Sequence, residues 1–217
     1  ARAEQLLIDE DFEGTFTDSG LPAGWGDNSR TWADLDVEYR GSSDDPHGGK
    51  ACQQIICGRL DSGAVQLIPV APTPLKRGRI YRVRAWLKGD VGPVALQLRQ
   101  TPSPYRVYVE DGIEVGPKWR QLDYFWTSTV DDPGARFMLR FTSEGNLWVD
   151  DIVVEGVDAD EAARRAPPPE AGNLLANGSF DLRTAGWLVN HSCDAWREAK
   201  LEIDTQGDAC LKITIPE

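Results

Sequence analysis

An all-β fold, an antiparallel sandwich or barrel, is what the sequence predicts, and three observations carry that prediction. Short apolar runs follow one another at close intervals, turn-forming residues separate them, and no long helical period appears anywhere. Composition agrees, with 21 Gly, 14 Pro and 8 Trp but a single Met among 217 residues.

Taken in order, residues 6–12 read as a first strand and residues 15–28 as a Gly- and Pro-rich loop carrying Trp25. Extended segments follow at 37–40, 51–57, 64–70, 80–89, 94–100, 106–109, 119–127, 137–142 and 147–155. The turns between them include Pro46 with Gly48 and Gly49, Gly89-Asp90, Asp132-Pro133-Gly134 and Glu144-Gly145-Asn146. Alternation then assigns faces. Tyr81, Val83, Ala85 and Leu87 point to the core, with Arg82, Arg84, Trp86 and Lys88 outward; Val94, Leu96 and Leu98 point in, opposite Ala95, Gln97 and Arg99; Phe137, Leu139 and Phe141 oppose Met138 and Arg140.

One strand departs from plain alternation. LWVDDIVVE, residues 147–155, places Asp150 and Asp151 between apolar runs. Buried charge must be paired or hold a metal, so the pair implies either a bulge turned to solvent or a hard-cation site, with Asp9, Glu10, Asp11 and Glu13 as candidate partners.

The totals exclude some functions. A formal net charge of -12 argues against nucleic acid or an anionic membrane as partner, and no apolar run approaches the length of a membrane span. Ala1 begins without a charged-then-apolar leader, so if the protein is secreted its signal has already been removed. Four cysteines permit three pairings. Cys193 and Cys210 could bridge neighbouring strands; Cys52 and Cys57, in one extended strand, would stand about 16 Å apart, too far for a bond. His47 and His191 are the only histidines, and no Ser or Cys sits in a nucleophile elbow, so catalysis has little support.

Domain organisation follows from a break in pattern. Residues 1–156 hold the strands; residues 157–172, charged and then Ala- and Pro-rich, read as a semi-rigid linker. Residues 173–217 then repeat the opening of the chain: NLLANGSFD parallels QLLIDEDFE, Gly186-Trp187 parallels Gly24-Trp25, and Trp196 parallels Trp32. Positions repeated in this way fit core packing as well as ligand stacking, and core is the expectation for these tryptophans.

With NLLANGSFDLRTAGW, the IYRVRAWLKG strand, the W-x-x-L-x-Y stretch from Trp119 to Tyr124 and LWVDD in view, the chain resembles the carbohydrate-binding modules of families 4, 9, 16 and 22. The likeness covers residues 4–156 as a complete module and 173–217 as the opening of a second. It implies a β-sandwich jelly roll that binds polysaccharide without cleaving it, usually attached to a secreted glycoside hydrolase or other polysaccharide-acting enzyme. In such a fold segments 51–57, 147–155, 80–89 and 119–127 form one sheet, and 64–70, 137–142, 94–100 and 106–109 the other. Outward positions on the second sheet are then Gln66, Gln97, Arg99, Arg106, Tyr108, Met138 and Arg140.

The resemblance also implies a structural calcium ion, held by Glu13 and Asp150 side chains and the Lys50 carbonyl, with Asp11 as a possible addition; the alternative is solvated acids in an acidic chain. Gln66, Gln97, Arg99, Tyr108 and Arg140 form the expected ligand strip. Amide and guanidinium groups suit sugar hydroxyls and an aromatic ring suits the sugar's apolar face, while several arginines would suit an acidic polysaccharide. An ordinary solvated sheet face is the competing reading of that strip. The leading expectation is a secreted, non-catalytic module that holds an appended enzyme at its glycan. A structural spacer of the same fold is the alternative.

Overall fold

The computed structural model describes residues 5–165, 200–204 and 210–214. Two antiparallel sheets face each other across one apolar core. The first is built from β3 (Asp34–Ser42), β4 (Cys52–Ser62), β11 (Gly145–Val157), β6 (Ile80–Gly89) and β9 (Arg120–Thr127) in that order, with β1 (Gln5–Glu10) also paired to β11. The second has the order β2 (Trp25–Asp27), β5 (Val65–Pro69), β10 (Arg136–Phe141), β7 (Val94–Arg99), β8 (Val107–Ile113). The eight main strands divide between the two sheets as expected, and β1, β2 and β3 extend those sheets.

Alternation explains why the sheets close on each other. Tyr81, Val83, Ala85 and Leu87 of β6 are fully buried, and so are Val94, Leu96 and Leu98 of β7 and Phe137 and Leu139 of β10. Each large apolar side chain removed from water in this way contributes about 1.5–3 kcal/mol, so the central strands carry most of the fold's stability. Trp25 joins the same core, its ring 6.2 Å from Phe12 and edge-on to Phe137. Its indole nitrogen donates to Glu10 at 2.8 Å, which gives that acid a structural task.

The double aspartate in β11 is a bulge. The β11–β6 register slips between Asp150 and Val153, and Asp151 takes φ 49°. At the same point the other edge of β11 changes partner, from β4 over residues 145–149 to β1 over residues 152–156. The bulge turns Asp150 into the protein and Asp151 towards the loop before β4.

Past Val157 the expected linker starts differently. Ala159–Arg165 forms a short helix, α1, entered through Asp158, whose side chain accepts the Glu161 amide at 2.7 Å. Ala162 packs with Ile80, Phe125 and Val157, so the first residues after β11 are docked on the sandwich. The last prolines of that segment, Cys193 and most of the expected second module lie outside the described residues; within it, β12 (Lys200–Asp204) and β13 (Cys210–Thr214) pair as an antiparallel ladder. Cys52 and Cys57 are free, as their spacing required.

Candidate functional site

Register places the outward residues of the second sheet in rows. Arg140 stands opposite Gln66 on one side and Ala95 on the other; Met138 pairs with Gln97, which pairs with Glu110; Arg136 pairs with Arg99, which pairs with Val107. Gln66, Gln97, Arg99 and Arg140 therefore share one face, as the alternation implied. Arg136 belongs with them. It precedes Met138 by two positions, so the same alternation would have found it had the strand been started one residue earlier.

The face is lined by long side chains that cover its centre. Gln97 is only 4% exposed and Met138 2%. The Arg99 guanidinium lies 3.5 Å from the Met138 sulfur and 5.4 Å from the centre of the Tyr105 ring. Gln97 donates through Nε2 to Glu110, which leaves its Oε1 buried and without a partner; Arg136 Nε is likewise buried and unpartnered. Gln66 Oε1 accepts from Asn28 Nδ2 at 2.7 Å. Burial pulls the Arg99 guanidinium below its ordinary value, and the neighbouring Arg140 and Arg136 push the same way.

Two aromatic expectations are corrected. Tyr108 is not on the strip: the β7–β8 register slips between Leu98 and Arg99, so Tyr108 becomes the extra residue, packs beside the core and donates its hydroxyl to Asp132 at 2.8 Å. A one-residue slip moves a side chain to the other face. The aromatic ring beside Arg99 is instead Tyr105, 56% exposed in the turn before β8. Trp32 is not in the core either. It is 50% exposed, tied by its indole nitrogen to the Asn28 carbonyl at 2.7 Å, at the edge where Asn28 grips Gln66. Arg106 is exposed in the turn leading into β8, where its carbonyl accepts the Gln100 amide.

The residues expected to hold calcium gather around one loop. Glu13 Oε1 accepts the amides of Lys50 and Ala51 at 2.6 and 2.9 Å, and Asp11 caps the Glu13 amide. Asp150, fully buried, accepts the His47 and Gly48 amides on one oxygen and the Asp151 amide on the other. Gly49 has φ 55°, and a Cβ there would stand 2.2 Å from the Glu13 carboxylate, so only glycine fits that approach. The oxygens are directed at amide donors. Among the described residues no three acid, His or Cys side chains converge as a metal cage.

The outward face of the first sheet is built differently. Arg82, 5% exposed, grips Asp123 with two nitrogens at 2.8 and 2.5 Å and reaches Glu155 at 3.5 Å. Lys88 meets Asp45 at 2.9 Å beside the rings of Trp119 and Trp148. Trp86, expected to face outward, does so, and is covered by the His47 ring stacked on it at 3.8 Å.

Two antiparallel sheets packed over one core, with guanidinium and amide groups sharing an outward face and two open aromatic rings at its margin, define a β-sandwich. A family model described as a carbohydrate binding domain matches residues 4–145, more than half of the chain, and the chain belongs to that family of non-catalytic modules. Among solved structures, the chain is similar to the CBM22-1 xylan-binding domain of Paenibacillus barcinonensis Xyn10C, at 16% identity over 73% of this chain and 98% of that one, with a TM-score of 0.49. It is similar also to the Clostridium thermocellum Xyn10B CBM22-1–GH10 modules complexed with xylohexaose, at 13% identity over 74% of this chain and 30% of that one, with a TM-score of 0.50. The family 11 carbohydrate-binding module of Clostridium thermocellum Lic26A-Cel5E matches at 14% identity over 72% of this chain and 96% of that one, TM-score 0.47. At these identities the likeness is one of fold. No curated protein sequence matches the chain.

Proposed function

We propose that the outward face of the second sheet binds a polysaccharide, and that the module thereby holds an attached polysaccharide-acting enzyme at its substrate outside the cell. The observation that carries this reading is the pairing of open rings with an unmet acceptor: Trp32 and Tyr105 are exposed at the margins of a face whose centre holds the partnerless Gln97 Oε1. A pyranose offers an apolar face to a ring and hydroxyl donors to a buried carbonyl oxygen. Gln66, Arg99 and Arg140 would add hydrogen bonds along the chain. Affinity should be modest, because a shallow face orders a flexible glycan with few deeply buried contacts.

The test is native affinity electrophoresis of the full chain through gels containing xylan, mixed-linkage glucan or polyuronate. Retardation by at least one glycan is expected, with Trp32→Ala and Tyr105→Ala each weakening it about tenfold, the equivalent of about 1.4 kcal/mol. If no glycan in the panel slows a folded chain, the structural-spacer reading replaces this one.

Calcium binding at the 47–51 loop is a separate proposal. It is supported by Glu13 and Asp150 gripping the loop from its two ends with hard carboxylate oxygens. Bound calcium would stabilise the join between the start of the chain and β11. Millimolar calcium should raise the melting temperature of chelator-treated protein by several degrees, and an unchanged value would remove the proposal.

A further inference from the structure

The sugar face is positive in a chain whose formal net charge is -12. Arg136 and Arg99 stand directly opposite each other on β10 and β7, and Arg140 lies four residues further along β10, about 13 Å away at strand spacing. Carboxylates are abundant in this sequence, and the first sheet spends Asp45, Asp123 and Glu155 on neutralising its outward cations. No ion pair among the described residues includes Arg99, Arg136 or Arg140.

Holding like charges together without counter-charges costs free energy, which a ligand carboxylate would recover through paired N–H donation. The amide between the cations adds the second half of a recognition site. Gln97 Nε2 is committed to Glu110, so its buried Oε1 accepts and cannot donate; it calls for a hydroxyl, not another carboxylate. Alternating demand for carboxylate, hydroxyl and carboxylate is the chemistry of an acidic sugar chain.

Resting on the sugar-binding reading above, we infer that the ligand is a polyuronate: one carboxylate between Arg99 and Arg136, a sugar hydroxyl donated to Gln97 Oε1, and a second carboxylate on Arg140. Two cationic positions about 13 Å apart are too far for a single carboxylate, so the site reads a chain of acidic residues and not one acidic monosaccharide. Glu110 is the one opposing carboxylate in the rows of this face. It stands on β8 beside Gln97 and repels the same ligand.

The full chain is titrated calorimetrically with polygalacturonate, with alginate, and with carboxyl-reduced polygalacturonate, which keeps the backbone and loses the charge. Binding to at least one polyuronate is expected to be about tenfold or more tighter than to the reduced polymer, and to weaken as sodium chloride is raised. Arg99→Gln and Arg140→Gln should each lower it by about tenfold, and Glu110→Gln should raise it by about two- to fivefold. Equal binding to the reduced polymer, lost in Tyr105→Ala, would overturn the uronate assignment and leave the sugar face standing. Polyuronate binding unaffected by both arginine substitutions, with an unchanged near-ultraviolet spectrum, would also overturn it. Failure of every polymer here, together with no retardation by xylan or mixed-linkage glucan in the gels, would overturn the assignment and the sugar-binding reading together.

Discussion

The two outward faces of this sandwich carry similar residues and use them in opposite ways. On the first sheet each buried cation is answered: Arg82 by Asp123 and Glu155, Lys88 by Asp45, and Trp86 by the covering ring of His47. On the second sheet Arg99, Arg136 and Arg140 share a face without an ion pair among the described residues, the one carboxylate in its rows, Glu110, is held by Gln97, and Trp32 and Tyr105 stand open. Both faces belong to one acidic chain, so supply of carboxylates does not explain the difference. A face that satisfies its own groups has finished its task at folding, whereas one that leaves them unmet keeps interaction energy for a partner.

The sharpest way to break this comparison is to remove a cation from the closed face. Arg82→Ala leaves Asp123 and Glu155 without their counter-ion and strips the guanidinium from the Phe125 ring, 5.6 Å away. The expected cost is about 3 kcal/mol, because breaking a desolvated pair strands the remaining charge. Urea unfolding would measure it, and glycan affinity of the folded fraction should not change. A loss below about 1 kcal/mol would mean that the pairing is surface decoration and that the two faces differ less than their geometry implies.

A smaller effect is expected at the rim of the open face, where Tyr108 packs beside the core instead of joining the strip. Tyr108→Phe removes one hydrogen bond to Asp132 and should cost about 1 kcal/mol, with no change in sugar binding. Burial, and then the Asp132 carboxylate, push the Tyr108 phenol up to about 12. A phenol whose folded value lies above the ordinary one near 10 contributes stability that is complete below about pH 10 and is lost as pH rises towards 12. The stability difference between the parent and Tyr108→Phe should therefore shrink between about pH 10 and 12. A difference that grows with pH would reverse the assigned sign.

What was legible in the sequence had a period, and what was hidden did not. Tyr81, Val83, Ala85 and Leu87, with Val94, Leu96 and Leu98, fixed both sheets because every second residue must meet the core. The same rule placed Gln66, Gln97, Arg99 and Arg140 on one face. It failed at Tyr108 because a bulge adds one residue without any mark in the local alternation, and an edge strand containing Glu110, Asp111 and Gly112 has little apolar pattern to reveal the slip. Trp32 and Tyr105 sit in turns, where position depends on the packing of distant segments; Trp32 lies against Gly63 in the turn between β4 and β5. The repeat of Trp32 at Trp196 pointed to the core, yet a repeated residue can also be a repeated site. In β11 the double aspartate announced an irregularity; the bulge is there, but it turns Asp150 into the protein and not to solvent, because three backbone amides meet its carboxylate.

The smallest expected effect tests the comparison from its other side. Arg99→Gln on the open face removes the sulfur contact with Met138 and the cation over Tyr105, which together are worth under about 1 kcal/mol at a partly exposed site. It also removes a desolvated charge that Arg136 and Arg140 repel, and that gain has the opposite sign. The two should nearly cancel, so the variant should match the parent within about 0.5 kcal/mol in urea, or exceed it. If Arg99→Gln instead cost as much as Arg82→Ala, the open face would be holding the fold together, and its missing carboxylates could no longer be read as room for a ligand. A variant that keeps its stability while losing its glycan would place Arg99 among residues retained for binding at a small cost to the fold.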